Sequence, residues 1–434
     1  MAGSWRVAAW CAASLAVSWT ATAAEAAKQA TAPDCVTRVT RDNLVPCALA
    51  ASPDLRVERE TESALVGRRQ AADTLLPSNP VLGLEGARRT TPGTDRAPAF
   101  NWSASLSQEL ELAGQRGQRQ RAAQAALEAQ RLRLLARQRD TASHAWNSYF
   151  EVIAARLQQQ LAQRLLDASR RVALVVRAKA EQGLVAPVDA DVASAAALRV
   201  QQHVLQADQA EAVARAQLAF SLGVDPGRPP EVSGELLPLA GLPELDPEPS
   251  RASETRPEIR AWAAERSALA ARAEGLRRAR IPNPSLSLFA REDGYGERVY
   301  GVGLSVPIPL PGPLGQLYAG EIAELEAQGR QADAEGARAS ARAGLELARI
   351  RASYRAHRAA VASFDRALLE RAERTLGDSG REIEAGRLSV RDALPAQQAL
   401  IELLQAHLEE LEAWCLASVE LARALDLPLE RGAQ

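Results

Sequence analysis

Aromatic side chains make up only 4% of the 434 residues although 47% are hydrophobic, and alanine supplies much of the difference. That scarcity disfavours a bulky globular core. Ala-rich helices that approach closely along their length suit the composition better. Long apolar runs are also missing beyond the first residues, where Val7 to Val17 follows Arg6 and precedes the small-residue site Ala21-Thr22-Ala23. This is the pattern of a secretory signal peptide over 1–23. No later segment approaches the roughly 20 unbroken apolar residues of a spanning helix, so any membrane insertion must use strands.

Cysteine is sparse too, with four in the chain. Cys11 falls inside the signal behind the bulky Trp10, where a lipoprotein cleavage site wants a small residue. The other three are too few for a disulfide scaffold. Cys35 and Cys47 would meet an oxidising compartment, where they can bridge or stay free; Cys415, beside Trp414 on an apolar helix face, reads as packing. A net charge of −2 gives no electrostatic case for nucleic acid. His144, His203, His357 and His407 are scattered singly, so no metal site and no cofactor is expected. Nucleophile motifs, phosphate loops and zinc spacings are lacking, which argues against an enzyme.

What is there is a duplication. Asn79-Pro80 recurs as Asn283-Pro284, Leu106-Ser107 as Leu304-Ser305, Gly114 and Gly117 as Gly312 and Gly315, and Gly183 and Asp189 as Gly386 and Asp392. The shift of roughly 200 residues holds over most of the chain, which marks an internal repeat. Each repeat opens with two stretches of period two. In the first, Leu82 and Leu84 oppose Gly83 and Glu85, and Trp102, Ala104, Leu106 and Leu110 oppose Ser103, Ser105, Ser107 and Glu109. In the second, Leu286, Leu288 and Ala290 alternate with Ser285, Ser287 and Phe289, and Val302, Leu304, Val306 and Ile308 with Gly301, Gly303 and Ser305. One face is apolar and the other small or polar, as in a lipid-facing barrel strand or a half-buried soluble sheet. Four strands cannot close a barrel, which needs about 8, so closure would require several copies. Phe100, Trp102, Phe289, Tyr295 and Tyr300 fall in or beside these strands and suit an interfacial aromatic girdle.

From Gln118 to Gln182 there is neither glycine nor proline, and Phe150, Ile153, Leu157, Leu161, Leu165, Ala168, Val172 and Val175 step by three or four. One helix of roughly 100 Å is expected, broken at Gly183 and answered by a return from Val188 to Leu222. The return is half as long. A helix from about Arg256 to Arg280 covers the rest of that return and leads into the second pair of strands; the second repeat copies the plan with one long helix from Gln316 to Ala385, a break at Gly386 and a return to Leu427, whose missing partner is the stretch from about Pro53 to Leu76, leading into the first strands. The fold class is therefore mainly α with a small β part, as duplicated long helical hairpins plus four strands. The expected boundaries are an N-terminal segment 24–52, a first repeat 53–223 with strands about 81–112, a linker 224–250, a second repeat 251–427 with strands about 285–309, and a tail 428–434.

Several of these pieces resemble the TolC-like outer-membrane efflux proteins. They are Thr40 to Arg56 with its Ala-Leu-Ala-Ala-Ser-Pro-Asp-Leu, the strand Leu106 to Leu112 running into Gly114-Gln115-Arg116-Gly117, and the tip Gly183-Leu184-Val185-Ala186-Pro187-Val188-Asp189. The resemblance implies a homotrimer whose strands form one outer-membrane β-barrel of about twelve, in contact with outer-membrane lipid and continued by an α-helical periplasmic tunnel. It implies that the tips Gly183, Leu184, Gly386, Arg387 and Leu388 contact a periplasmic adaptor, and that Asp189 and Asp392 narrow the tunnel and favour cations, although each also suits a first helical turn. Pro395 departs from the family, standing where a second acidic residue is common. The compact linker and the paired Asn-Pro motifs look most like the CzcC-like heavy-metal branch, whose inner-membrane pump is of the resistance-nodulation-division (RND) type. The alternatives are a duct for drugs or for type I protein secretion, and a soluble periplasmic coiled-coil adaptor.

Overall fold

The computed structural model describes residues 35–89, 99–242, 256–292, 296–310, 314–315 and 317–429. The expected signal peptide and Tyr295 lie outside these. One helix organises the rest: α3, Gln115–Glu181, runs for 67 residues. Gly114, at φ 75°, turns the incoming strand into it, a backbone conformation that costs glycine little. At its far end Gly183 adopts φ 72° and Pro187 opens the return helix α4, Pro187–Ser221. A proline at the first helical position gives up an N–H that would have no partner there.

Two shorter helices complete the lengths. α2, Pro53–Ala72, and α5, Pro257–Ala279, both begin on proline and both pack against α3. Contrary to expectation, α2 rather than α5 takes over where α4 stops, and α5 follows on the second return, because the short segments on either side of Gly223 and Ala51 lie together. Gly223 there lies so close to Ala51 that a Cβ would stand 2.6 Å from its carbonyl oxygen. In the second repeat, Arg256 donates to the carbonyl of Ala424 at 2.9 Å, and Ala424 ends the return helix α8, Val390–Ala424.

The second long helix departs from expectation. It is two helices, α6, Ala319–Ser363, and α7, Arg366–Glu384, parted at Phe364 and Asp365. Neither glycine nor proline breaks it. Asp365 caps the new start by accepting from the Ala367 N–H at 2.9 Å. Below the break α7 packs against α3 and α8.

Strands β2, Val81–Arg89, β3, Ala99–Glu109, β5, Ser285–Glu292, and β6, Arg298–Ser305, form one antiparallel sheet in the order β2-β3-β5-β6. β6 ends before Val306 and Ile308, where Pro307 cannot donate to a ladder. Midway along α3, a small parallel pair, β1, Arg38–Val39, and β4, Glu231–Val232, lies beside helix α1, Leu44–Ala51. Here the chain spends its large side chains. Trp146, Tyr149 and Phe150 are fully buried with Leu44, Leu218, Val232 and Val419, so segments remote in sequence meet around one turn of α3. Trp146 donates to the Leu429 carbonyl and Tyr149 to that of Ser233. Cys35 and Cys47 are joined by a disulfide that ties the segment before β1 to α1, and Cys415 is a buried free thiol.

Candidate channel wall and periplasmic tips

Register turns the alternation of the strands into two faces. Leu82, Leu106, Leu288 and Val302 stand side by side across the sheet, and Leu84, Ala104, Ala290 and Tyr300 form the next row. The opposite face carries Gly83, Ser105, Phe289 and Gly301, then Glu85, Ser103, Arg291 and Val299. The apolar rows are uncovered: Leu84, Tyr300 and Val302 are each 73% exposed. From Leu106 to Phe100 the band is roughly 20 Å tall at the rise of a strand, close to the apolar belt of an outer-membrane barrel.

Phe100, Trp102 and Tyr300 lie on this apolar face toward one end. There Trp102 donates its indole N–H to Glu292 at 2.9 Å and the surface turns polar. Phe289 does not join them. An odd position in β5 puts it on the small, polar face, where a Cβ on Gly301 would stand 2.4 Å from its ring. Its place in the aromatic girdle is thereby corrected, and Tyr295 is outside the described residues.

At the other end of the sheet, the Asn-Pro motif of the second repeat acts as a joint. Asn283 donates to Glu109 and accepts from Gln115, both at 2.8 Å, while the Pro284 carbonyl accepts from the Leu110 N–H. Arg119 pairs with Glu111 at 2.6 Å and reaches the Thr74 carbonyl. Strand and helix are thus locked at a fixed angle by side chains rather than left to swing.

Both hairpin tips meet at the opposite end of the helices. Val172 and Val176 of α3, Ala193 of α4, Ile383 of α7 and Ala393 of α8 form one cluster beneath Gly183 and Gly386. Gly386, at φ 73°, mirrors Gly183, and a Cβ at either would meet nothing within 4 Å. Backbone conformation, not crowding, is what selects glycine there. Lys179 donates to the Ile383 carbonyl and ties one hairpin to the other. Arg387 grips Glu382 through two hydrogen bonds of 2.7 and 2.8 Å, which hold that carboxyl below its ordinary range and raise the guanidinium. Leu184 is exposed, and Leu388 packs partly against the cluster. Asp392 is engaged at the start of α8, accepting from the Ser389 hydroxyl at 2.6 Å. Asp189 lies in the first turn of α4.

Histidine forms no site. His357 contacts Glu410 at 2.8 Å and His407 stacks edge-on against Phe364. Among the described residues no group of three or more potential ligands could hold a metal, and no helix is long and apolar enough to cross a membrane. Sequence reasoning missed the tie from Lys179 and the break at Phe364, for neither carries a local signal.

The chain is thus mainly helical with an open four-stranded sheet, apolar on one face and small or polar on the other. A family model described as outer membrane efflux protein matches residues 44–224, which run from α1 just past α4. Among solved structures the chain is similar to CusC, with TM-score 0.74 and 19% identity over 89% of this chain and 91% of that one. It is similar also to the outer-membrane channel CmeC of Campylobacter jejuni (TM-score 0.72, 16% identity, 89% and 85% covered). The outer-membrane protein VceC of Vibrio cholerae gives 0.71 and 19%, with 89% and 95% covered. No curated protein sequence matches the chain. The family match is confined to residues 44–224, and the solved structures share the fold of this chain over nine-tenths of its length.

Proposed function

We propose that three copies of this chain form the passive exit duct of a tripartite efflux system, reached through a periplasmic adaptor from an inner-membrane RND-type pump. The observation that carries this is the exposed apolar face of a sheet too narrow to close alone. The duplication supports closure by further copies. Ile401, Leu408 and Leu416 of α8 pack into clusters with α3, whereas their counterparts 203 positions earlier, Leu198, Leu205 and Val213 of α4, are 63%, 63% and 48% exposed. A neighbouring copy's α6 and α7 would cover α4 as α3 covers α8. Leu205→Glu should then shift the purified protein from trimer to monomer, and an unchanged trimer would refute this seam.

In this reading Gly183, Leu184, Gly386, Arg387 and Leu388 are the adaptor contacts, and Asp189 and Asp392 ring the periplasmic mouth. Heavy-metal cations are the cargo favoured by the resemblance to the CzcC-like branch; a drug or protein duct is the alternative. The test is a deletion strain challenged with metals, dyes, detergents and antibiotics. Wild type should restore resistance and Gly183→Pro with Gly386→Pro should not, despite normal outer-membrane levels. Sensitivity confined to organic compounds would replace the metal reading, and full rescue by the tip variants would remove the adaptor role.

A further inference from the structure

Just below the joint between sheet and helices, α2, α3, α5 and Leu325 of α6 surround a cavity of about 650 Å³. Its wall is largely alanine, but Arg68, Arg119 and Arg272 line it against a single carboxylate, Glu111. Glu111 is matched by Arg119. Arg68 and Arg272 have no ion-pair partner among the described residues, and both are exposed. The side of the sheet on which the cavity opens is fixed by Asn283, which lines it and donates to Glu109 on the small, polar face. Water inside a closed barrel would therefore be continuous with this cavity.

We infer that Arg68 and Arg272 form a basic collar at the top of the helical duct that makes it prefer anions to cations. The inference rests on the trimeric duct proposed above. Each copy would bring two uncompensated guanidinium groups, repeated around one ring, and rings of like charge in a narrow pore select ions of the opposite sign. Arginine keeps its charge at any working pH, so the preference is permanent rather than switched. The sheet face above is mixed, with Glu85, Glu109 and Arg291.

Planar-bilayer recordings on the full mature chain under a salt gradient test this, in an Asp189→Asn/Asp392→Asn background that removes the acidic mouth. The channel should be anion-selective. Arg68→Gln with Arg272→Gln should lower the anion-to-cation permeability ratio by about twofold or more, and lysine at both positions should keep it. Arg69→Gln, one residue away and outside the cavity lining, should leave the ratio unchanged. Equal ratios for the glutamine and lysine variants would overturn the collar while leaving the duct in place. Absence of any conductance from the parent chain would instead overturn the duct, and with it the collar.

Discussion

Gly234 offers the sharpest test of how the middle of the molecule is built. It sits at φ 150°, and a Cβ there would lie 1.9 Å from the Tyr149 Oη, 3.2 Å from its Cζ and 3.6 Å from Ile153 Cδ1. Gly234→Ala therefore meets two separate penalties. A backbone region open almost only to glycine costs about 1–3 kcal/mol. Forcing a methyl against the fully buried Tyr149 costs about 1–3 kcal/mol more. Tyr149→Phe removes the hydrogen bond to the Ser233 carbonyl, worth about 1 kcal/mol, and with it the oxygen in the way. In the double variant the nearest obstacle is the ring carbon, a tight contact that a small shift relieves. The double should thus be less destabilised than the sum of the singles by about 1–2 kcal/mol, while the backbone penalty persists. Native-state hydrogen exchange of the amides at 142–155 reads these differences. Additivity within about 0.5 kcal/mol would mean that Tyr149 yields freely and that the close approach is not what selects glycine.

Three further outcomes follow from side chains around the same belt. Glu412 is pushed up to about 7, chiefly by burial and further by Glu151 and Glu409. A folded value above the ordinary one means stability present below about pH 4.5 and lost as pH rises through about 7, so α8 should be better protected from exchange at pH 5.5 than at pH 8. Glu412→Gln should flatten that difference, and an unchanged pH profile would refute the assignment. Burial raises the Cys415 thiol to about 12, and Cys35 and Cys47 are bridged, so the mature chain should take up no maleimide when native and one equivalent in denaturant. Uptake by the native protein would contradict the packing. Cys35→Ser, or reduction of the wild type, should cost about 3 kcal/mol locally from the 12-residue separation and expose the segment before β1 to protease.

Much of this fold can be read from sequence because its elements are long and its signals local. The alternation through Leu286 to Ala290 needs only the pleat, and the absence of helix breakers from Gln118 to Gln182 needs only counting; α3 follows, give or take three residues. The duplication implies that a short helix completes each return, but it pairs α5 with α4 and α2 with α8, and the structure exchanges them, because Gly223 lies against Ala51 and Arg256 against Ala424. What stayed hidden depends on phase or on distance. Phe289 was grouped with Phe100 by residue type although its odd position already put it on the other face. The break at Phe364 carries neither glycine nor proline and so leaves no local signal in the sequence. Arg68 and Arg272 are 204 positions apart and each resembles any solvated arginine of a helix; only the arc of α2, α3 and α5 brings them to one cavity.

That cavity bears on what the duct can carry. The acidic residues near the tips, Asp189 and Asp392, would concentrate cations at the mouth, while Arg68 and Arg272 would repel them close to the membrane. The two rings are separated by nearly the whole of α3, roughly 70–100 Å, many times the screening length of about 8 Å at physiological salt. They cannot cancel each other and must act in series. An ion crossing by diffusion would meet one barrier whichever its sign, so the resting duct would leak little of either. A cargo driven by a pump arrives at high local concentration and can surmount a barrier of a few RT. A metal cation is then compatible with the collar only as driven flux, whereas an organic anion would pass the collar unaided and be held back at the tips, where an adaptor could spread the acidic ring. On the proposed reading, charge placement would make the tips, rather than the barrel, the point at which an anionic cargo is admitted.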